Sequence, residues 1–487
     1  MHNHKPFIHT FKVGGKDYIY DVNRNVILKG QNELIKMLMK DQAESENVED
    51  KDIFELMVKM KNDGFFSSNR IKEILHPADE LIEYYLNSKI QKITLQLTQN
   101  CNLNCSYCAY SGGYYNRTHT KSRMDFEIAK RSIDFLLGHS EDNKEINIGF
   151  YGGEPLLEKG LIRKCINYAK ENCFGKKLSF TITTNGTLLN ENIVQLFVEN
   201  DVYLVISLDG PKEVQDKNRK FACTSKSTFE IVMRNVSFIK EKYPNYYKNI
   251  CFNAVLDQEN EFCCIDNFFR DFDLVKEAMV LASEINPNSK KEHVKNDQTF
   301  INNYKYEIFK LFLSRLGRLD QSYVSKLVKT YFISLEKTFA QLKLTEKLPE
   351  KAHHGGPCIP GSQRLFIDTL GNFYPCERVS ETSEIMKIGN IFDGFNYDNI
   401  REILNIGKLS ESKCKNCWAF RFCGLCVAMA DSVNGLSRYE KVSKCNRTIK
   451  FAEDRLKDIC MLKNLKYEFN KFIGGGRNER KTIDISL

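Results

Sequence analysis

Residues 99–110 read QNCNLNCSYCAY and directly follow a β-rich run, ITLQL, at residues 93–97. The motif carries three cysteines, Cys101, Cys105 and Cys108, separated by three and by two residues. Thiolates at this spacing on one tight loop can face a single point, but a structural zinc site normally needs four protein ligands. An iron–sulfur cube held by three thiolates leaves one iron free to bind another molecule. The motif therefore predicts a catalytic iron–sulfur cluster with an open iron.

The region that begins at this motif alternates β-rich runs with helix-like stretches such as DFEIAKRSIDFLL. Such alternation favours parallel strands joined by right-handed crossovers, and six units fit a partial barrel better than a complete eightfold one. Barrels of this kind keep their chemistry on the loops that follow the strands. The predicted fold class is α/β, a partial (β/α)6 barrel with strands at residues 93–97, 146–151, 178–184, 202–208, 250–256 and 278–282.

The pattern divides the chain into five segments. They are an N-terminal unit (1–88), the barrel (89–298), a helical bridge (299–352), a cysteine-rich domain (353–450) and a C-terminal segment (451–487). The C-terminal segment is expected to form a helix followed by a mobile tail that includes residues 472–487. In the first segment, HTFKVGG and KDYIYDVNRNVILKG predict a hairpin turning at Gly14-Gly15, and helices follow near residues 32–40 and 52–61. This unit is either a cap on the barrel or a winged-helix-like module whose strand edge captures an extended peptide.

The cysteine-rich domain carries seven of the seventeen cysteines, with two CxxC pairs at its centre: Cys358, Cys376, Cys414, Cys417, Cys423, Cys426 and Cys445. Paired CxxC motifs are typical of zinc sites, but only five residues separate these two pairs, whereas zinc ribbons usually have ~12–20 between pairs. Iron–sulfur clusters are therefore favoured, and zinc stays as the alternative. The remaining cysteines are expected to be small apolar core residues.

Composition limits the class of protein. Apolar residues make up 42% and charged residues 28% of the 487, which excludes a disordered chain and a small disulfide scaffold. Neither a signal peptide nor an apolar run long enough to span a membrane is visible, so a cytoplasmic protein without a membrane partner is expected. The excess of 71 basic over 63 acidic residues is spread out, and no basic stripe predicts nucleic-acid binding.

Three further motifs, YGGEP, TTNGT and SLDGPKEVQDKNR, come at the ends of the second to fourth predicted strands, and a fourth, FNAVL, lies on the fifth. Together with the cysteine motif they resemble the radical S-adenosylmethionine (SAM) superfamily. The resemblance implies that SAM binds the open iron and that its reductive cleavage yields a 5′-deoxyadenosyl radical. It also implies cofactor contacts for Tyr107 near the adenine, for Gly152, Gly153 and Glu154 at the methionine ammonium, and for Asn185, Ser207, Asp209, Arg219, Asn253 and Leu256 elsewhere on SAM.

The second cysteine group resembles the SPASM extension of that superfamily, which holds two auxiliary [4Fe–4S] clusters, giving three in all. Here Gly424 and Leu425 stand where the family more often has three residues. The resemblance implies that Cys414, Cys417, Cys423 and Cys445 ligate one cluster. It leaves only Cys358, Cys376 and Cys426 for the other. Either His353 or His354 supplies the fourth ligand, or one iron stays open for a substrate thiolate.

The combination of segments resembles the maturases of ribosomally synthesised peptides, which bind the leader of a precursor peptide at an N-terminal recognition module. It implies intramolecular thioether formation between a cysteine sulfur and a carbon, with flavodoxin or ferredoxin as reductant. Carbon–carbon crosslinking or another peptide oxidation is the alternative within enzymes, with the auxiliary clusters only transferring electrons. A zinc-binding peptide adaptor is the alternative from another class.

Overall fold

The computed structural model describes residues 5–39, 51–115, 117, 119–285, 290–291, 297–355 and 358–469. It begins with a three-stranded antiparallel sheet and two helices: β1 (Ile8–Val13), β2 (Lys16–Asp21), β3 (Val26–Gly30), α1 (Asn32–Met39) and α2 (Lys51–Asn62). The turn between β1 and β2 lies at Gly14 and Gly15, whose φ angles of 54° and 77° suit glycine. The predicted hairpin and both helices are confirmed, except that Lys40 lies outside the described residues.

Alternate side chains of β2 pack into two different hydrophobic cores, because successive side chains of a strand point to opposite faces. Ile19 packs with α1 and α2. Tyr18 and Tyr20 point the other way and pack with C-terminal residues, among them Phe420, Phe422, Ala452, Leu456 and Cys460. Nearby, the ring of His9 lies flat on the indole of Trp418, with ring centroids 3.7 Å apart. The N-terminal sheet is therefore packed against the cysteine-rich domain.

Two short elements, β4 (Glu73–Ile74) and α3 (Ile82–Ser88), lead into the barrel. Its elements are β5 (Lys92–Thr98), β6 (Leu103–Cys105), α4 (Phe126–Gly138), β7 (Glu145–Gly152), α5 (Lys159–Asn172), β8 (Lys177–Thr184), α6 (Glu191–Glu199), β9 (Tyr203–Ser207), α7 (Lys212–Asn218), β10 (Arg219–Phe221), α8 (Thr228–Lys242), α9 (Pro244–Tyr247), β11 (Cys251–Leu256), α10 (Phe262–Asp271) and β12 (Met279–Glu284). Six strands are parallel neighbours in the order β5-β7-β8-β9-β11-β12. They match the six predicted strands, so the predicted α/β partial barrel is confirmed.

The rest of the described chain adds α11 (Gln298–Arg315), α12 (Lys329–Gln341), β13 (Lys351–Ala352), β14 (Leu365–Ile367), β15 (Asn372–Tyr374), β16 (Gly389–Asn390), β17 (Gly394–Phe395), α13 (Tyr397–Leu404), α14 (Glu411–Cys414), α15 (Arg438–Ser443) and α16 (Cys445–Asn464). Strand β14 pairs in parallel with β5, and β15 to β17 continue antiparallel, so the barrel sheet grows to ten strands. The predicted tail at 472–487 lies outside the described residues.

This joined sheet places the two cysteine groups relative to each other. Strand β5 is buried from Ile93 to Thr98, and its apolar side chains alternate with the polar ones of Thr94, Gln96 and Thr98. β5 carries the first cysteine motif at its end, and its neighbour β14 lies between Cys358 and Cys376 in the sequence. The cysteine-rich domain is therefore continuous with the barrel rather than a separate body. None of the described helices is long and apolar enough to cross a membrane.

The buried Phe373 on β15 tests this junction. Its ring centroid lies 4.9 Å from that of Phe135 on α4 and 5.5 Å from that of Phe395 on β17. Replacing Phe373 by Ala should lower the free energy of unfolding by about 3–5 kcal/mol, because it removes these contacts and leaves a cavity. Phe392→Ala is the matched control, since that ring is 64% exposed. Equal midpoints of urea denaturation for the two variants would contradict the packing.

Candidate functional site

The cysteine loop after β5 is held by a second, shorter pair of strands. β6 pairs antiparallel with β10, and Cys105 lies opposite Arg219. The backbone of Ser106 continues this contact by donating to the carbonyl of Asn218 at 3.0 Å. The segment that follows α7 therefore fixes the course of the loop that carries Cys101, Cys105 and Cys108.

A buried ion pair beside these cysteines joins three of the predicted site residues. Arg219 donates to Asp209 through Nε at 3.0 Å and through Nη2 at 3.1 Å. The Tyr107 hydroxyl also donates to Asp209, as does the backbone N–H of Val255 at 3.0 Å. Burial alone would lower the pKa of Arg219, but Asp209 and Tyr107 raise it well above its usual value. This clamp joins the cysteine loop to the ends of β9 and β11.

Gly152 and Gly153 let two loops approach each other more closely than any other residue would. A Cβ at Gly152, where φ is +145°, would lie 2.2 Å from the carbonyl oxygen of Thr98. A Cβ at Gly153 would lie 2.2 Å from that of Asn100. The close approach allows two backbone hydrogen bonds between the loops. Gly153 N donates to Thr98 O at 2.8 Å, and Glu154 N donates to Asn100 O at 2.9 Å. The two glycines therefore set the position of the cysteine loop.

The Glu154 carboxylate is completely buried and binds protein groups. It accepts hydrogen bonds from the N–H of Leu156 at 2.9 Å, from the hydroxyl of Thr184 at 2.7 Å and from the N–H of Asn185 at 2.7 Å. Burial raises the pKa of Glu154, and these three donors counteract that rise. In the described structure Glu154 connects the ends of β7 and β8, and its contact with an ammonium group stays a prediction.

The other predicted cofactor contacts lie on neighbouring strands. The side-chain amide of Asn185 donates to Asn102 Oδ1 at 2.8 Å and lies 3.9 Å from Cys101 Sγ. Asn253 of β11 lies opposite Ser207 of β9. Leu256, at the end of β11, is buried. The ten predicted residues therefore belong to successive strands or to the loops that follow them, and their individual contacts with SAM stay predictions.

The donor set of this site fits a cationic iron cluster. Burial, with smaller contributions from the neighbouring thiols, raises the pKa of Cys101 and of Cys105 to about 12. Thiols in such surroundings ionise at neutral pH only when a metal binds the thiolate. The N–H of Leu103 donates to Cys101 Sγ at 3.3 Å, which favours the thiolate. The triad is thus suited to hold a cluster.

Four C-terminal cysteines surround one cavity of about 290 Å³. They are Cys414, Cys417, Cys423 and Cys445, the set predicted for one auxiliary cluster. Burial raises the pKa of Cys417 and of Cys423 to about 11. Across the described ranges, no three potential metal ligands converge on a single-ion site. The four thiols line one cavity, and the cluster expected there stays a prediction.

The remaining three cysteines form a second group. Burial raises the pKa of Cys358 and of Cys376, and smaller electrostatic contributions come from Cys426 at Cys358 and from Cys358 at Cys376. The histidines do not support a fourth-ligand role here. The ring of His353 accepts from Gly407 N at 2.8 Å through Nε2 and faces the carbonyl of His354 at 3.0 Å through Nδ1. His354 lines the cavity of the other cysteine group.

Sequence reasoning missed a buried polar network around Glu381. The carboxylate accepts from Tyr110 Oη at 2.8 Å, from Gln96 Nε2 at 3.0 Å and from Gln99 Nε2 at 3.1 Å. Arg117 Nε lies 3.3 Å away, and both members of this ion pair are nearly inaccessible to solvent. Tyr110 is the last residue of the cysteine motif and Arg117 follows it closely, which is the one signal that the sequence offered. The network binds the cysteine loop to the cysteine-rich domain.

Comparison with known proteins gives the family. The sequence model of the Radical SAM superfamily matches residues 95–266. An uncharacterized protein of Methanocaldococcus jannaschii is 30% identical over 338 residues, which are 68% of this chain and 96% of that protein. The chain belongs to the radical SAM superfamily. A cysteine-type anaerobic sulfatase-maturating enzyme of Clostridium novyi is 28% identical over 67% of this chain and 84% of its own length.

Two further matches describe this radical SAM enzyme's relatives. The cyclopropyl synthase TigE of Paramaledivibacter caminithermalis is 25% identical over 46% of this chain and 48% of its own length. The solved structure of native anSMEcpe with bound AdoMet has a TM-score of 0.58 and 23% identity, covering 77% of this chain and all of that one. The protein is therefore a radical SAM enzyme related to peptide and protein maturases.

Membership of the radical SAM superfamily implies SAM and one [4Fe–4S] cluster as cofactors. The thiols of Cys101, Cys105 and Cys108 fit that cluster, because they share one loop after the first barrel strand, where Cys105 is buried and the other two are partly buried. This argues against the alternative in which the triad is a structural zinc site of a peptide adaptor. The auxiliary clusters stay a prediction.

Gly153→Ala tests how the radical SAM cluster loop is positioned. The new Cβ would meet the backbone of Asn100, so the loop must shift, and the reconstituted chain should lose about four irons, one [4Fe–4S] cluster. Iron content and visible absorbance measure this loss. Gly160→Ala is the control, because nothing lies within 4 Å of a Cβ at that position. Full iron and undiminished SAM cleavage in Gly153→Ala would contradict the assignment.

Proposed function

We propose that this enzyme forms intramolecular thioether links in a cysteine-containing, ribosomally synthesised precursor peptide. The observation that carries the proposal is the division of the C-terminal cysteines. Four of them share one cavity, and the remaining group has only the three members Cys358, Cys376 and Cys426. Since neither nearby histidine supports a fourth-ligand role, a cluster on these three would offer an iron to a substrate thiolate.

When bound, SAM and the three clusters would supply a hydrogen-abstracting 5′-deoxyadenosyl radical, a site for the substrate thiolate and acceptors for the surplus electron. The residues of the chain provide the surroundings. Arg219, Asp209 and Tyr107 fix the loop of the first cluster. The Glu381 network packs that loop against the domain that holds Cys376. This connection supports a single reaction space shared by the first cluster and the open auxiliary site.

The N-terminal sheet would bind the leader of the precursor. Strand β1 lies against the C-terminal domain, where His9 stacks on Trp418 and contacts Glu453 at 3.0 Å. In the described part of the chain β3 pairs only with β2, so its outer edge has free backbone groups. An exposed edge of this kind can accept an extended peptide as a further strand. We assign leader capture to β3.

The cellular setting follows from the cofactors. Clusters and free substrate thiols both require a reducing compartment, which supports the cytoplasm. A flavodoxin or a ferredoxin would supply the electron that cleaves SAM.

A second candidate is carbon–carbon bond formation or another peptide oxidation, in which the auxiliary clusters only transfer electrons. The likeness to a cyclopropyl synthase and to sulfatase-maturating enzymes favours this candidate. The two candidates differ in the fate of the substrate cysteines, because a thioether uses up the thiol and a carbon–carbon link leaves it free.

Turnover of a short cysteine-containing peptide encoded beside this chain tests the proposal. Each link should remove two hydrogen atoms in the intact mass, and the linked cysteines should no longer react with iodoacetamide. Peptide incubated without SAM is the control. A product that has lost hydrogen but retains every reactive thiol would reject thioether formation in favour of the second candidate.

Replacing Cys101, Cys105 and Cys108 together by Ala should abolish 5′-deoxyadenosine production, because no ligand then remains for the first cluster. About eight of about twelve irons should stay on the C-terminal cysteines. The matched control replaces Cys223, Cys263 and Cys264, which lie at or near the surface. Continued SAM cleavage by the first variant would disprove the site, and loss of all its iron would disprove separate auxiliary clusters.

A further inference from the structure

Lys441 is a buried lysine that reaches the cavity of Cys414, Cys417, Cys423 and Cys445. Its residue is 1% exposed, although lysine is almost never fully buried without a partner. Its ammonium donates to Ser410 Oγ at 2.6 Å and lies 3.6 Å from Cys414 Sγ. The side chain therefore ends at one of the cluster thiols.

The usual partner of a buried lysine is absent in the described ranges. Neighbouring lysines pair with carboxylates, Lys415 with Glu411 at 2.7 Å and Lys444 with Glu440 at 3.9 Å. Among the described residues, no carboxylate oxygen lies within ion-pair distance of the Lys441 ammonium. A buried charge without an opposite charge is strongly unfavourable. The position of Lys441 therefore requires negative charge inside the cavity.

Two other buried polar side chains lie beside this group of cysteines. The Ser410 hydroxyl lies 3.2 Å from Cys414 Sγ. His354 is 2% exposed and lines the cavity, and neither of its buried ring nitrogens has a well-formed hydrogen bond in the described structure. The backbone of Cys423 lies beside this ring. Lysine, serine and histidine thus offer donors to a site that, without a bound group, holds only thiols.

A bound cluster would supply the missing negative charge. A [4Fe–4S] core of about +2 with four thiolates carries about −2, and one added electron takes it to about −3. We propose that Lys441 is the buried counter-ion of the cluster held by Cys414, Cys417, Cys423 and Cys445, and that its charge raises the reduction potential of that cluster. This inference rests on the proposed auxiliary clusters.

The consequence is a difference between the two auxiliary clusters. Beside the other group, Glu377 and Arg364 pair at 2.9 Å, and they act on Cys376 with opposite sign. Their charges largely cancel there, whereas the charge of Lys441 is not cancelled by a carboxylate. An electron released at the Cys358 group is therefore better stabilised at the Cys414 group. Lys441 would direct electron flow away from the substrate.

The test is a redox titration, followed by electron paramagnetic resonance, of the reconstituted full-length chain with Cys101, Cys105 and Cys108 replaced by Ala. Lys441→Met should make reduction of one auxiliary cluster at least tenfold less favourable, about 59 mV for one electron, and leave the other unchanged. Lys441→Arg should keep the original potential. Lys450→Met is the matched control, because it removes the same charge from an exposed site on α16.

The outcomes separate this inference from the proposed function. Unchanged potentials in Lys441→Met with full iron would overturn the role of Lys441 alone. Absence of iron from the chain with Lys441 intact would overturn the auxiliary clusters as well. If Lys441→Met loses iron, Lys441→Gln is titrated, which keeps an N–H donor without the charge. A lowered potential there supports the proposal, and loss of iron from the Met, Gln and Arg variants alike would assign Lys441 a structural role and overturn it.

Discussion

The ionisation of buried cysteines is the constraint on which the rest of this structure depends. Thiols bind iron as thiolates, but burial opposes their ionisation, raising the pKa of Cys101 and Cys105 to about 12 and that of Cys417 to about 11. The protein counters this cost with donors and cations placed next to sulfur. Arg219 lies opposite Cys105, and Lys441 lies beside Cys414. In both cysteine groups a positive side chain therefore lies beside a thiol, where it favours the thiolate form.

A second constraint is that the sites must stay in fixed positions relative to each other. Sheet pairing between β5 and β14 does this at the level of the backbone, since one strand leads into the first cysteine loop and the other lies within the cysteine-rich domain. The network around Glu381 does it at the level of side chains, through Tyr110 and Arg117. Both connections join the barrel to the cysteine-rich domain, so a displacement of the barrel would also displace the cysteine-rich domain.

The sequence predicted those parts of the fold and site that depend on local spacing. The spacing of the cysteines along the chain limits which of them can bind the same cluster. The pattern of β-rich runs predicted all six barrel strands. The sequence did not predict the three-residue strand β14. So short a run carries no periodicity, and its pairing with β5 is decided by tertiary contact. The same holds for Lys441 and His354. A charged residue on a short polar helix and one histidine of a pair give no local sign of burial.

The stacking of His9 on Trp418 gives the chain an internal optical probe. Trp418 is the only tryptophan, it follows Cys417 directly, and its indole lies parallel to the imidazole of His9 on the first strand. Its fluorescence therefore depends on one place, where the N-terminal sheet meets the cysteine loop. Undocking of the sheet would remove a neighbouring quencher, and filling of the cavity would add one. A single emission spectrum can follow both events without any added label.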